Sequence, residues 1–388
     1  QWVVNAYTLA FASLMLGAGL LGDRFGRKKV MLAGVAVFCA GSVVAATAPN
    51  VSVLIVGRAI MGMGAAASEP GTLSVLRHIY PEDQTRARAL GVWAAVSGLA
   101  IALGPVVGGL LIGISGWRAV FWFNLVAGIG AGIAAARTVP DSADPATGPL
   151  DVAGITLGVL ALVAVTFGII QGEVSGFSSP WILALLVGAG ACAVAFVAVE
   201  RRSRDPLLDL RYFRHGSFSG AVVVAFAVSF GLFTIFFFIA LYLQLVKNYS
   251  GYHIAVEFLP MALVMVIGAL WTGRWVARVG PGAPLAAGCA LAGVGIVATR
   301  FVLGSSQGVA LAATLAVAGL GIGTAIVPVT AVALGEVPPE RSGMAASTAN
   351  TSRVLGALFA VALLGALMNA HLTTDLKHKL HALGVPNV

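Results

Sequence analysis

Long apolar stretches alternate with short polar ones along the whole chain. A helix needs about 20 apolar residues to cross the hydrocarbon core of a bilayer, and twelve segments meet that length. They are, roughly, residues 3–21, 30–47, 53–76, 87–114, 119–136, 152–171, 181–199, 217–245, 254–272, 283–299, 308–334 and 342–368. The pattern therefore predicts an all-α integral membrane protein with twelve spans.

The two longer polar segments, residues 139–151 and 200–215, enclose spans six and seven. They divide the chain into three predicted parts. Residues 1–137 form an N-terminal helix bundle, 138–215 two extra central helices with flanking loops, and 216–388 a C-terminal helix bundle.

Composition agrees with a membrane protein. Hydrophobic residues make up 59% of the 388 and charged residues only 10%, whereas a soluble domain carries about a quarter charged residues. Soluble enzymes, nucleic-acid-binding modules and disordered scaffolds are excluded on this ground. The 49 glycines lie mostly inside apolar runs, where small residues allow membrane helices to pack closely.

The net charge of +8 reflects topology and not a nucleic-acid partner. Sixteen of the 23 basic residues lie on the side of the loop around residues 23–29, five lie on the other side, and Arg58 and Arg353 lie within spans. Cytoplasmic loops are enriched in lysine and arginine. The loop at 23–29 is therefore predicted to be cytoplasmic, and both ends of this chain to lie outside.

Signatures of enzymes, metal sites and cofactors are missing from the sequence. The three cysteines lie in apolar segments and the six histidines at span ends, in loops or in the tail. No Gly-Lys-Ser/Thr follows the glycine pairs, so they are not phosphate-binding loops. We therefore expect no catalytic residues, no metal and no cofactor, and transport driven by a gradient.

An internal repeat relates the two halves of the chain. Asp-Arg-Phe-Gly at 23–26 recurs as Ala-Arg-Val-Gly at 277–280, and a looser match pairs residues 62–70 with 321–328. Paired halves with matching helix breaks are typical of secondary transporters, whose substrate site lies between the halves.

Three motifs carry a resemblance to a known family. Residues 19–29, Gly-Leu-Leu-Gly-Asp-Arg-Phe-Gly-Arg-Lys-Lys, resemble the loop signature of the major facilitator superfamily between its second and third helices. Residues 54–64 are similar to its fourth-helix arginine motif, although Met61 stands where glutamine is common. The third motif resembles the fifth-helix pattern associated with antiporters and comprises Gly98, Gly104, Pro105, Gly108 and Gly109.

Further positions narrow the resemblance to one branch of that superfamily. The opening Gln-Trp-Val-Val with Tyr7, the segment 117–124 and the pair Asn350 and Arg353 look like the fourteen-helix drug:proton antiporters. The resemblance implies the major facilitator fold, with two six-helix bundles plus two central extra helices. The first span then matches family helix two and the last helix thirteen, so we expect the chain to lack helices one and fourteen. Any proton-carrying acid on helix one would lie outside it.

The function implied is proton-driven export of lipophilic or cationic drugs by alternating access. The expected partners are a small-molecule substrate, protons and the lipid bilayer, with a monomer in a bacterial-type plasma membrane. One alternative is an exporter of a single metabolite or self-made antibiotic. A more remote one is a non-transporting membrane receptor or scaffold.

The cytoplasmic loop motif contributes the first candidate site. Asp23 and Arg27 are four residues apart, a spacing that allows an ion pair on a helical path. The resemblance implies a latch that holds the halves together on the cytoplasmic side, and a plain topology signal is the alternative. The predicted gate residues are Gly22, Asp23, Arg24, Gly26 and Arg27.

Arg58 and Glu69 are candidates for a proton path. They are 11 positions apart, which places both on one helix face about 16 Å from each other. Glu69 stands beside Pro70, where the family more often has an apolar residue, and a carboxyl inside a span is a functional candidate. The alternatives are a snorkelling Arg58 and a Glu69 bonded to a neighbouring helix or facing cytoplasmic water.

The remaining candidates would line a polar cavity. Asn350 and Arg353 are one turn apart, and Arg353 lies about eleven residues into its span, which favours a role in lining a cavity or in hydrogen bonding between the halves. Asn5, Tyr7 and Asn124 are weaker candidates, for which local helix–helix hydrogen bonding is equally compatible. The glycine-rich fifth-helix motif predicts a bare, kinked helix face that another backbone approaches closely.

Overall fold

The computed structural model describes residues 2–140, 152–203, 208–303, 308–338 and 341–382 of the chain. Its helices are α1 (Trp2–Phe25), α2 (Arg27–Ala46), α3 (Val51–Ile79), α4 (Asp83–Ser115), α5 (Arg118–Thr138), α6 (Val152–Ser175), α7 (Pro180–Glu200), α8 (Gly216–Thr234), α9 (Ala240–Leu245), α10 (Gly251–Val279), α11 (Gly282–Val302), α12 (Gly308–Gly335) and α13 (Ser342–Ala382). A π-helical turn, Ile235–Ile239, joins α8 to α9 into one span. The described residues contain no β-strand.

Among the described residues, up to eleven of the twelve spans that hydropathy predicts are counted. Ten helices in the described part of the chain are long and apolar enough to cross a membrane, and α1 makes eleven if its two bent parts count together. α1 bends by 53° between Met15 and Gly17, which divides its apolar run into two short pieces. The remaining predicted segment, 87–114, lies within α4, a single helix of 33 residues.

Two sharp turns reverse the chain between the first three helices. Gly26 adopts a φ of 103° between α1 and α2, a backbone conformation that glycine adopts without steric cost. Asn50 caps α3, where its side-chain oxygen accepts a hydrogen bond of 3.0 Å from the backbone nitrogen of Val53. These turns place α1, α2 and α3 side by side.

The same packing scheme occurs in both halves, in agreement with the internal repeat in the sequence. α3 packs between α1 and α2, and α12 packs between α10 and α11. Glycines allow the close approach in each case. A Cβ at Gly64 would overlap the backbone of Phe38 on α2, and a Cβ at Gly321 would overlap the backbone of Ala292 on α11. Each half therefore has a central helix with small residues against its neighbours.

The halves meet along two pairs of helices. α4 of the first half packs along α10 of the second, and α1 packs against α13. The extra helices α6 and α7 pack on each other, and α6 also contacts α1 and α13. The region between the halves is therefore bordered by α1, α3 and α4 on one side and by α10, α12 and α13 on the other.

We expect Gly64→Ala to destabilise the protein because its methyl group would overlap backbone atoms that belong to a neighbouring helix. Overpacking of this kind typically costs about 1–3 kcal/mol. The measurement is the thermal unfolding midpoint of the purified protein in detergent, which should fall by several degrees. Gly188→Ala on α7 is the matched control, since no atom lies within 4 Å of its added Cβ. An equal fall in both variants would contradict this explanation.

Candidate functional site

The first site joins α1 and α13 at the helix ends that the basic-residue bias predicts to be cytoplasmic, called the cytoplasmic ends below. Asp23 forms an ion pair with Arg27 at 3.0 Å, as the sequence spacing allows. Its two carboxylate oxygens also accept hydrogen bonds from the backbone N–H groups of Gly343 (3.1 Å) and Met344 (3.2 Å). The first N–H groups of a helix have no partner within the helix and carry its positive dipole end, so Asp23 complements the start of α13.

A second contact between the halves lies nearby. The guanidinium of Arg77, at the cytoplasmic end of α3, donates to the carbonyl oxygen of Val337 at 2.5 Å. Gly19 of α1 also lies directly against α13, because a Cβ there would come within 2.6 Å of the Gly343 carbonyl oxygen. The cytoplasmic ends of the two halves are therefore held together by backbone-directed hydrogen bonds and close packing.

The α4–α10 pair shows where the halves separate. Near the cytoplasmic end, a Cβ on Gly91 would lie 3.2 Å from the Cα of Gly273, and further along, a Cβ on Gly98 would lie 2.9 Å from the Met265 side chain. At Gly104 and Gly108 no atom lies within 4 Å of an added Cβ. The halves thus touch on the cytoplasmic side, and this face of α4 is bare towards the outside.

The second site begins with Arg58 and Tyr7 in the outer part of the first half. Arg58 donates through Nε to the carbonyl oxygen of Val3 at 2.8 Å, and its guanidinium carbon lies 4.5 Å from the centre of the Tyr7 ring. A cation over an aromatic face at this distance is a stabilising arrangement. Arg58 is therefore held by α1, on the inner side of its helix, instead of reaching for the membrane surface.

Glu69 of the first half and Arg353 of the second half lie at a similar depth. Glu69 is 10 residues from the cytoplasmic end of α3 and Arg353 is 11 residues from that of α13, which places both at a depth of about 15 Å. Their charges interact, and the Glu69 charge also acts on Tyr7. The Glu69 side chain is half-buried. An intramembrane acid thus lies within electrostatic range of the positive charge of the opposite half.

Arg353 has further partners from three helices. It donates to Asn350 Oδ1 at 2.8 Å and to Thr330 Oγ1 at 2.5 Å, and its guanidinium carbon lies 5.8 Å from the centre of the Trp93 ring. Asn350 is 2% exposed, and its Nδ2 has no hydrogen-bond partner. The predicted pair of Asn350 and Arg353 therefore faces α4 and α12, between the halves.

The other residues predicted for the cavity, the gate and the glycine-rich motif lie elsewhere. Asn124 is half-buried on α5, whose main partner is α2. Gly22 is buried with no atom within 4 Å of an added Cβ, and the Arg24 guanidinium lies 5.6 Å from the centre of the Phe25 ring. The side chains of Asn5, Pro105 and Gly109 lie outside the described residues.

Three residues of these sites were not singled out from the sequence. Thr330 lies two positions after Pro328 in an apolar run that also holds Thr314 and Thr324, so the sequence does not set it apart. Trp93 is indistinguishable from a lipid-facing aromatic residue in the sequence. Arg77 counts there as one more cytoplasmic basic residue, and only the fold shows that it reaches the opposite half.

The arrangement can bind and move charge, while a metal centre finds no support in the described part of the chain. No group of three or more histidine, cysteine or acidic residues there could hold a metal ion. The polar side chains instead form a series from Arg58 and Tyr7 through Glu69 to Arg353 and Asn350. A series of this kind is suited to a proton or a charged substrate at mid-depth of the bilayer.

Comparison with known proteins agrees with this architecture. The chain is 35% identical over 374 residues to the methylenomycin A resistance protein of Bacillus subtilis, covering 96% of this chain and 80% of that protein. It is 31% identical over 379 residues to the multidrug resistance protein Stp of Mycobacterium tuberculosis, covering 97% and 70%. The tetracenomycin C resistance and export protein of Streptomyces glaucescens is also 31% identical, over 373 residues, with 95% and 68% covered.

A solved structure shares the fold. The human organic anion transporter MFSD10 (TETRAN) superposes with a TM-score of 0.69 over 94% of this chain and 77% of that chain, at 16% sequence identity. The family model of the Major Facilitator Superfamily matches residues 1–361. With its repeated halves, its Asp23 contact and this match over nearly its whole length, the protein is a multi-pass membrane protein that belongs to the major facilitator superfamily.

Proposed function

We propose that this protein exports lipophilic drugs, cationic ones among them, in exchange for protons by alternating access in a bacterial plasma membrane. The names of its relatives, which refer to multidrug resistance and to resistance against individual antibiotics, support drug export. The proposal gives the protein a carrier's role with a small-molecule substrate, protons and the lipid bilayer as partners. It works as a monomer and needs no cofactor.

One observation carries the proton coupling. Glu69 is a half-buried acid at mid-depth of the membrane whose charge interacts with Arg353 of the other half. A charged group in this position is costly unless it is paired or lies in a water-filled cavity. A carboxylate that can be neutralised either by a proton or by a neighbouring cation is the group that an antiporter requires.

The chemistry follows from competition for this carboxylate. An ionised Glu69 can pair with Arg353, take up a proton or attract a substrate cation. Because it carries only one negative charge, these three compete for it. Binding a proton from the outside therefore weakens its attraction for a substrate cation. Asn350, Thr330 and Trp93 keep Arg353 in place while this exchange occurs.

The contacts between the halves support the alternating-access part of the proposal. The hydrogen bonds from Arg77 and to Asp23 close the cytoplasmic side, while Gly104 and Gly108 stand bare on the outer part of α4. This arrangement corresponds to an outward-facing conformation. In the inward-facing conformation the Asp23 contact would break, and the bare glycine face would receive another helix. Gly98, Gly104, Pro105, Gly108 and Gly109 serve that closure in the proposal.

A second candidate is export of one antibiotic or metabolite. Relatives named for methylenomycin A and for tetracenomycin C favour it. The two candidates share the same proton chemistry and differ in the size and tolerance of the substrate cavity. Transport of several unrelated lipophilic cations would favour the first, and saturable transport of a single compound the second.

We expect Glu69→Gln to abolish proton coupling, because the amide has the size of the carboxyl group but does not titrate. The measurement uses everted membrane vesicles that contain the full-length protein and a fluorescent dye that reports the proton gradient. Ethidium, a lipophilic cation, and two unrelated drugs serve as probes. Proton release on addition of a probe should fall at least about tenfold in the variant, which corresponds to about 1.4 kcal/mol of lost coupling.

Glu82→Gln is the matched control, since Glu82 is exposed at the start of α4 and makes no side-chain capping bond. Its proton release should equal that of the unmodified protein. Undiminished proton release with Glu69→Gln would contradict the role of this residue. Absence of any flux in the unmodified protein would contradict transport itself and favour a receptor or scaffold.

We expect Asp23→Asn to shift the protein towards the inward-facing conformation, because a neutral amide is a weaker acceptor for the two N–H groups of α13. Hydrogen bonds to charged groups contribute about 1.5–3 kcal/mol, so the population ratio should change about tenfold. Spin labels at Glu82 and Arg278, exposed on the cytoplasmic ends of α4 and α10, report the distance between the halves. That distance should lengthen, whereas with Asp83→Asn, whose carboxylate is 89% exposed, it should not.

A further inference from the structure

The segment between the extra helices and the second half contains a buried acid with no role in the sites described above. Asp209 is 4% exposed. Its carboxylate accepts hydrogen bonds from the Arg211 side chain at 2.9–3.2 Å and from the Arg211 backbone N–H at 3.0 Å. It also accepts one from Arg341 Nη1 at 3.3 Å, and Arg341 directly precedes the first residue of α13.

The carboxylate of Asp209 is held in its ionised form. Burial raises the pKa of Asp209, but the hydrogen bonds and positive charges of Arg211 and Arg341 outweigh it, and the pKa lies below its ordinary value. A fixed negative charge therefore stands beside the start of α13. Because Arg211 is 80% exposed and Arg341 is 32% exposed, Arg341 is the partner that links Asp209 to the interior.

The same turn of α13 is held from two sides. Met344 donates its backbone N–H to Asp23 at 3.2 Å, and its sulfur accepts the backbone N–H of Asp209 at 3.4 Å. The backbone N–H of Gly343, the residue before Met344, donates to the other carboxylate oxygen of Asp23. The direction in which these N–H groups point at Asp23 therefore depends on how Asp209 holds Arg341 and Met344.

The segment that carries Asp209 is itself anchored at both ends. The backbone N–H of Leu208 donates to Glu200 Oε2 at the end of α7 at 3.2 Å. At the other end, Ser219 donates to the Phe213 carbonyl oxygen at 2.6 Å, and the Phe213 ring packs edge-on against that of Phe218 at 5.1 Å. Asp209 thus belongs to a strap, residues 208–215, that is bonded to the end of α7 through Glu200, leads into α8 and contacts the start of α13 through Met344 and Arg341.

We propose that Asp209 is a positioning residue of the cytoplasmic gate. By holding Arg341, it aligns the first turn of α13 with Asp23 and favours the outward-facing conformation. The strap thereby gives the two extra helices a way to influence the gate without touching the substrate. This inference rests on the alternating-access part of the proposed function and adds a third contributor, besides the two halves, to the closure of the cytoplasmic side.

The experiment measures two distances in the full-length protein after its cysteines have been replaced by serine. Spin labels at Glu82 and Arg278 report the cytoplasmic side, and labels at Ser115 and Val246, both exposed at the other end of the helices, report the outer side. With Asp209→Asn we expect the cytoplasmic distance to lengthen and the outer distance to shorten. The ratio of inward-facing to outward-facing protein should rise about tenfold.

Four further variants separate positioning from general damage. Arg341→Gln should reproduce the change, and the double variant Asp209→Asn/Arg341→Gln should shift the ratio no further than either single variant, because both act through one contact. Arg214→Gln, an exposed basic residue on the same strap, is the matched control and should leave both distances unchanged. Arg211→Gln should shift the ratio less than Arg341→Gln.

Two outcomes would overturn the inference. One is an unchanged pair of distances with Asp209→Asn. The other is a change of both distances in the same direction, with broader distance distributions. That result would indicate a loosened fold and not a directed opening of the gate. Probe-driven proton flux of the unmodified protein is measured separately, to distinguish failure of this inference from failure of the proposed function. If the unmodified protein shows flux but Asp209→Asn leaves both distances unchanged, transport stands and only the role of Asp209 is removed.

Discussion

The contact between Asp23 and the first turn of α13 is the constraint on which the arrangement of the two halves depends. A helix start presents N–H groups that its own carbonyls cannot satisfy, and Asp23 supplies two acceptor oxygens to them at 3.1 and 3.2 Å. The contact requires the cytoplasmic ends of α1 and α13 to meet. The close packing of α4 on α10 near that end and the bond from Arg77 to Val337 follow from the same closure.

The charges at mid-depth link conformation to chemistry. Glu69 and Arg353 belong to different halves, so a relative movement of the halves changes the distance between their charges. In a bilayer, where an unpaired charge is costly, that distance affects how readily Glu69 takes up a proton. In the proposed cycle, protonation and opening are therefore two consequences of one electrostatic pair, and no separate signal between them is needed.

Small residues make both sites possible. Gly64 and Gly321 let the central helices α3 and α12 approach their neighbours at backbone distance, which keeps each half rigid. In the proposed cycle the halves then move as units, and the hydrogen bonds at the cytoplasmic end and the strap around Asp209 restrain the movement. The bare glycine face of α4 is the complementary surface, since it makes no close contact in this arrangement.

The sequence by itself determined the membrane class, the order of the spans and the family, because hydropathy and the residue 19–29 motif are local properties. The lysine and arginine bias adds a prediction of their orientation. It also found Glu69 and Arg353 as charges within spans. Of its twelve predicted spans, ten are counted in the described part of the chain, or eleven with the bent α1 as one span. The pairing of Asp23 with Gly343, of Arg353 with Thr330 and of Asp209 with Arg341 was decided only by tertiary structure. These partners are 320, 23 and 132 residues apart, and only the packing of the helices determines which distant groups satisfy a buried charge.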